Sequence, residues 1–484
     1  MPPFDDARVA AMLESARLFE ISTLLLLSWG ALAFGAEYAW AYAPLLTFSL
    51  VPATFGLRAT RGSGPSRLLM FALAAVVIMA VIQITVPAAL IPARLQSPPH
   101  VEFGRLYAYV TMQPMPQTTT SVISVAPARS ILGVTFLIAF ALLLAGCTRA
   151  VSAFGPKRLV EGIVILGSVV AFVGLIQANV KTETIYGFWR QPRAGVPFAP
   201  FINKNHFAGW MAMVLSLAIG AFAADIATGL KHVRATLRDR LLWLSSKNAG
   251  NLALTALAVG VMALSIVIAG SRGGLIGLLS ILAIGLMWML RRQRGWKRVA
   301  GGGVLIGLVL LAVVWGGADA TIDRFTGATE TLGDRRGIWK DTVSIIRDYP
   351  VTGTGLNTYG IAMLHYQKNF VGGAVTEAHN DFLQLAAEGG VMLGIPILAA
   401  LGIFADQVRR RFAERLDDEE TYWRRAGAVT GLCAIGVMEI FDFTLQMPGA
   451  AAMFVVLAAI AIHRPNHLQR NRADSAPTIP TRAS

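Results

Sequence analysis

The sequence predicts an all-α integral membrane protein of about twelve transmembrane helices, with a polar helical insertion between the ninth and the tenth. Three observations predict it. Of 484 residues, 55% are hydrophobic and only 14% charged, whereas soluble domains carry about a quarter charged residues. Apolar stretches recur at about 20 residues, the length that crosses hydrocarbon with every backbone group bonded inside a helix. Basic residues collect in every second gap between those stretches, the positive-inside pattern.

Taken in order, the spans fall roughly at 18–36, 38–57, 68–90, 130–148, 159–179, 205–224, 250–269, 274–290, 300–317, 382–405, 426–444 and 449–463. The first has no positive leader and no small-residue cleavage site, so it reads as retained. A formal charge of +14 raises the question of nucleic acid. Its distribution answers otherwise. Arg58, Arg61 and Arg67 fill one gap; Arg149, Lys157 and Arg158 the next of the same side. Lys231 to Lys247, Arg291 to Arg298, Arg409 to Arg425 and the tail from Arg464 continue the alternation. These clusters set topology, with both termini on the basic, inner side. Cys147 and Cys433 sit inside apolar spans, which excludes a disulfide framework and gives no metal-ligand spacing.

The chain reads as one membrane domain over 1–463, an outer insertion over 318–381 within it, and a polar, disordered inner tail over 464–484. A segment over about 91–129, rich in Pro, Thr and Ser, forms a further outer connector. In the insertion, Asp334 is placed to cap a helix that shows Ile338, Trp339, Val343 and Ile346 on one face, and Pro350 ends it. A VTGTG turn from Val351 follows, then a second amphipathic pattern from Leu356 to Phe370.

The segments able to do chemistry all fall on the outer side. Arg193 precedes the sixth span, and Arg272 stands between the seventh and eighth, next to Gly273 and Gly274. An arginine beside hydrocarbon is costly unless paired or solvated, and the bland reading is one that snorkels to headgroups. The functional reading is an anion clamp, since guanidinium forks suit phosphate oxygens. His379 stands between Glu377 and Asp381 where the chain re-enters the membrane. An imidazole there suits a general base, although a lone histidine is also a common surface or capping residue. His206 is a second candidate for the base, and Asn203, Asn205 and Asn380 are further site candidates. Glu439 and Asp442 lie near the outer end of the eleventh span, where Asp442 is placed to orient a histidine or to pair with an arginine. No second His or Cys supports a metal beside Glu377 and His379.

The stretches FINKNHFAGW, SRGG, RRGIWKDTVSIIRDYPVTGTGLNTY, EAHNDFLQLAAEGG and DFTLQMP resemble, in order and spacing, the bacterial O-antigen ligase and polymerase superfamily. The resemblance covers about 190–450. It implies a GT-C-like, multi-pass enzyme of the bacterial inner (cytoplasmic) membrane with its active site facing the periplasm. Such enzymes take a glycan from undecaprenyl pyrophosphate and move it, with inversion, to a hydroxyl of lipid A-core, of a growing polysaccharide or of another acceptor. Neither metal nor cofactor is implied. Arg193 and Arg272 match the family's pyrophosphate-binding arginines, and His379 its base. Arg336 falls in the family's arginine–tryptophan stretch. MEIFDF stands where many relatives carry a histidine–serine pair, so the resemblance assigns Glu439 no role. Protein O-oligosaccharyltransfer remains an alternative within the class. The rivals outside it are a transporter or flippase, against which the lack of matched broken spans argues, and a scaffold for polysaccharide export.

Overall fold

The computed structural model describes residues 6–59, 62–90, 122–180, 184–190, 196–229, 247–292, 303, 307, 328–368, 373–414 and 417–465. All of the expected ninth span except Gly303 and Gly307, together with Arg193, the outer connector up to residue 121 and the tail from 466, lies outside the described residues.

The fold is helical, as expected. Among the described residues, eight helices occupy the first two thirds: α1 (Asp6–Leu32), α2 (Ala39–Arg58), α3 (Arg67–Thr85), α4 (Pro127–Phe154), α5 (Lys157–Val180), α6 (Lys204–Gly229), α7 (Lys247–Ala269) and α8 (Arg272–Arg292). A two-stranded hairpin, β1 (Thr184–Ile185) and β2 (Trp189–Arg190), joins α5 towards α6. The insertion supplies α9 (Ala328–Asp348) and α10 (Tyr359–Tyr366). The bundle ends with α11 (Asp381–Ala413), α12 (Glu419–Met438) and α13 (Pro448–Ile462). Among the described residues, eight helices are long and apolar enough to cross a membrane. Their outward side chains, such as Phe71, Ile165, Phe172 and Leu398, are exposed and apolar. Water would penalise that surface and lipid would not.

Local sequence sets where the helices begin. Ser66 Oγ accepts from Leu69 N (3.2 Å) ahead of α3, and Asp418 Oδ1 from Thr421 N (2.7 Å) ahead of α12. Pro127 and Pro448 open α4 and α13, where a missing N–H costs nothing. Some boundaries differ from the expectation. The first helix starts at Asp6, because its polar residues favour helix without favouring hydrocarbon. Asp334 lies inside α9 instead of capping it. The second amphipathic pattern yields only Tyr359–Tyr366, and α12 stops at Met438, leaving Glu439 and Asp442 in a turn.

α6 is the centre of the bundle and is buried along its length. Small residues let α12 approach it: a Cβ on Gly220 would lie 2.9 Å from Gly427 Cα. Close backbone approach of this kind is how membrane helices gain packing energy without a hydrophobic driving force.

α11 is two helices in one run. Gly390 breaks it with φ 53° and ψ −158°, a region open essentially to glycine alone. The insertion fills the break. Val391 N and Met392 N donate to the carbonyls of Pro350 (3.0 Å) and Val351 (2.9 Å). In return the carbonyls of Ala387 and Glu388 accept from Thr354 N and Gly355 N, both at 3.0 Å. Buried Gln83 of α3 completes the joint, donating to Thr352 O (2.7 Å) and Glu388 O (2.9 Å) and accepting from Leu356 N (3.2 Å). A broken helix at this depth is stable only when protein satisfies its freed groups. The VTGTG turn does so, and thereby fixes the insertion on the membrane domain.

Candidate active site

The starts of α6, α8 and α11 meet the end of α12 at one end of the bundle. Arg149, Arg411 and Arg425 lie at the other. There Arg425 pairs with Asp417 (2.7 Å) and reaches Ala461 O (2.6 Å), Arg411 reaches Ile462 O (2.9 Å), and Arg149 reaches Ala59 O (2.7 Å). Helix starts carry partial positive charge and free N–H groups, so their meeting favours an anion.

Asp442 is the hub of that end. It is 1% exposed, and its Oδ1 accepts from Phe443 N (3.0 Å). Asn205, in the first turn of α6, donates its side chain to the same carboxylate. From α8, a Cβ added to Gly273 would lie 3.7 Å from Asp442 Oδ2, so the backbone after Arg272 runs directly against it. Buried Ser271 opens α8, its Oγ accepting from Gly274 N (3.1 Å). Arg272, half-buried, is the first residue of the helix.

A second cation comes from above. Arg335 of α9 is half-buried, and its charge interacts with both Asp442 and Arg272. Burial draws its guanidinium below the ordinary value, with Asp442 opposing that change and Arg272 adding to it. Arg336, the residue singled out from the sequence, is exposed on the neighbouring face. The signal for Arg335 was its spacing: it stands four residues before Trp339, on the same face of a helix.

His379 sits beside this pair. It precedes the helix and does not open it, because Asn380 is the cap, its Oδ1 accepting from Leu383 N (3.0 Å). The His379 backbone is left-handed, at φ 49°, uncommon for a residue with a Cβ. Its ring meets Phe443 edge-on at 4.8 Å, and on the same aromatic ring His206 makes a like contact at 4.7 Å. The two histidines are therefore neighbours across Phe443. Buried His379 Nδ1 and His206 Nε2 make no hydrogen bond to the described protein. Burial first, and the Arg335 charge second, lower the His379 imidazole to about 4. It is neutral at pH 7.

Four further contacts complete the site. Asp381 Oδ1 accepts from Gln446 Nε2 (2.9 Å), and Asp381 N donates to Glu439 O (3.0 Å), which ties α11 to the end of α12. The Glu439 carboxyl lies beside that of Asp381. Asn203 Oδ1 accepts from Asn205 N (2.9 Å) and shapes the entry to α6. The structure thus gathers Asn203, Asn205, His206, Arg272, His379, Asn380 and Asp442 at one end of the bundle, with Arg336 turned outwards.

Residues 257–398 match the family model described as O-antigen ligase. That region is similar to the O-antigen ligase family. The match runs from within α7 through α8 and the insertion into α11, so it contains Arg272, Arg335 and His379. Asn205, His206 and Asp442 lie outside the matched residues and meet that region through the fold. No curated protein matches the chain. The match, with eight helices long and apolar enough to cross a membrane among the described residues, supports a membrane protein with a glycosyltransferase-like role in O-antigen or polysaccharide processing.

Proposed function

We propose that this protein transfers a glycan from undecaprenyl pyrophosphate to an acceptor hydroxyl at the periplasmic face of the inner membrane, with inversion and without a metal. The observation that carries the reading is the meeting of Arg272 and Arg335 with His379 at the non-basic end of the bundle. The positive-inside rule makes that end the outer one.

Each residue takes a role from its surroundings. Arg272 and Arg335, with the starts of α6 and α8, hold the pyrophosphate and offset the charge that grows on its departing oxygen. Asp442, held by a hydrogen bond from Asn205, attracts Arg335 towards the site. His379 accepts the proton of the acceptor hydroxyl as its oxygen attacks the anomeric carbon. The bond from that carbon to the pyrophosphate oxygen breaks, and undecaprenyl pyrophosphate leaves with the electron pair. His206, behind Phe443, is a second candidate for the base. Within this reading the acceptor is lipid A-core or a growing polysaccharide.

Reconstitution tests it. The full chain in liposomes, given undecaprenyl-pyrophosphate glycan and candidate acceptors, is expected to release undecaprenyl pyrophosphate only when an acceptor is present, with the rate unchanged by EDTA. A rate lost to EDTA and restored by Mg²⁺ would reject the metal-free mechanism. Movement of intact donor across the bilayer without transfer would favour a flippase.

A further inference from the structure

His379 is useful only if its ring is aimed, and its backbone conformation is one that residues with a Cβ rarely hold. Something must hold it there. The two peptide groups before it are both clamped, by side chains from two different elements. The indole Nε1 of Trp339, on α9, donates to the carbonyl of Ala378 at 3.0 Å. The amide N of Ala378 donates to Oε1 of Gln384, on α11, at 2.9 Å. Gln384 is itself buried, and its Nε2 donates to Glu377 Oε2 at 2.6 Å. Ala378 has no exposed surface, so the clamp closes on a peptide that water does not reach.

We propose that Trp339 and Gln384 are positioning residues that fix the backbone before His379 and so aim its imidazole at the reacting hydroxyl. The proposal rests on the reading of His379 as the base. Trp339 belongs to the insertion and Gln384 to the membrane helix, so the clamp is complete only with the insertion docked. With either hydrogen bond removed, the peptide before His379 is free to turn, and the ring moves from its place against Phe443. Displacements of about 1 Å at a reacting group cost on the order of 10²-fold in rate. The pyrophosphate contacts, which come from Arg272 and Arg335, are untouched.

The test uses conservative variants of the full-length protein in liposomes, with undecaprenyl-pyrophosphate glycan and acceptor extracted from membranes of the source cell. Trp339→Phe keeps the ring against Phe441 and deletes only the N–H donor. Gln384→Met keeps length and loses both hydrogen bonds. Each is expected to lower kcat at least about tenfold, with KM for the donor changed less than about twofold. Single-turnover rates with labelled donor extend the measurement to His379→Ala, where adding Trp339→Phe is expected to cost nothing more. Loss of the same factor in both backgrounds would mean that Trp339 acts elsewhere and would overturn the proposal. So would Trp339→Phe with normal kcat, even if Gln384→Met does not accumulate. If His379→Ala itself retains activity, the base reading fails, and with it the reason to position that ring; if His379→Ala is inactive while both clamp variants are normal, only the positioning idea fails.

Discussion

Arg335, on α9, lies within reach of the charge of Asp442, the carboxylate that the turn after α12 buries between the starts of α6 and α8. Their attraction links α9 to the turn after α12, where the proposed function places the pyrophosphate. A buried carboxylate costs free energy unless it is paired, and here it is met by a guanidinium and by Asn205.

Arg335→Ala is therefore expected to lower transfer by about 10²–10³, the scale of losing one preorganised donor to a departing oxyanion. Arg336→Ala, on the exposed face, is expected to stay within about threefold of wild type. Asp442→Asn should share much of the Arg335 defect. Steady-state transfer rates of the three variants at matched protein level decide this; a larger loss for Arg336→Ala than for Arg335→Ala would reverse the assignment.

Arg272 is the second arm. Arg272→Lys preserves the charge but loses the planar fork, so turnover is expected to fall with protein level unchanged. Arg272→Ala should cost a further factor, reaching about 10²–10³ below wild type. Donor binding, measured with undecaprenyl pyrophosphate itself, should weaken in both. Normal activity of Arg272→Ala would remove the anion clamp from the mechanism.

Much of this architecture was legible in the chain. Hydropathy and the alternating basic gaps marked the helices, because hydrocarbon leaves so few options for backbone polar groups. The same reasoning picked out Arg272 and His379, as polar residues set against apolar flanks. Arg336 came from the resemblance alone, and which face of α9 it takes, the exposed one, needed the fold. Pattern reading gave Asp334 to a cap, although α9 begins earlier, at Ala328, through residues with no hydrophobic period to mark it. The Gly390 break was hidden for a different reason. LAAEGGVMLG reads as an ordinary apolar helix, and the groups that make a break tolerable come from Pro350, Val351, Thr354, Gly355 and Gln83, distant in sequence.

That break gives a stability prediction. A Cβ on Gly390 would lie 2.6 Å from Val351 O and 2.7 Å from Gly353 N, at a backbone angle that L side chains rarely adopt. Gly390→Ala is expected to destabilise the protein by at least about 1–3 kcal/mol, seen as a lower Tm in detergent. Gly394→Ala, one turn on with nothing near its added Cβ, should leave Tm unchanged or slightly raised. Equal Tm values for the two variants would mean that the break does not require glycine.

Glu377 sets an upper limit on pH. Although part of the residue stays exposed, burial of its carboxyl, reinforced by Glu388 and Asp381 and opposed by the Gln384 hydrogen bond, pushes it up to about 8. The folded protein thus holds a proton that the unfolded chain releases near 4.3. Its contribution to stability is complete below that value and is lost as pH rises towards 8. Glu377→Gln fixes the neutral form, so it is expected to be active at pH 7 and to show a smaller fall in Tm between pH 6 and pH 8.5 than wild type. Identical Tm–pH curves would show that the carboxyl is already ionised at pH 7.

The pH dependence of transfer bears directly on His379. As a base it works only when neutral, and its imidazole is lowered to about 4 by burial and by Arg335. The free enzyme is therefore ready throughout pH 6–8. Plotted as kcat/KM, which reports the free enzyme, transfer is expected to be flat there and to fall as pH drops towards 4. Removing the Arg335 charge lets the imidazole hold a proton at higher pH, so Arg335→Ala should move that acid limb upwards as well as lowering the rate. His379→Asn separates the base from a helix-terminal role. Asn380 already caps α11, so an amide at 379 has no capping to supply and no proton to take. Loss of about 10²–10⁴ in transfer with donor binding intact is the expected result. Substantial transfer by His379→Asn, with the acid limb still in place, would pass the role to His206 across Phe443, and the matching variant His206→Asn would then abolish both.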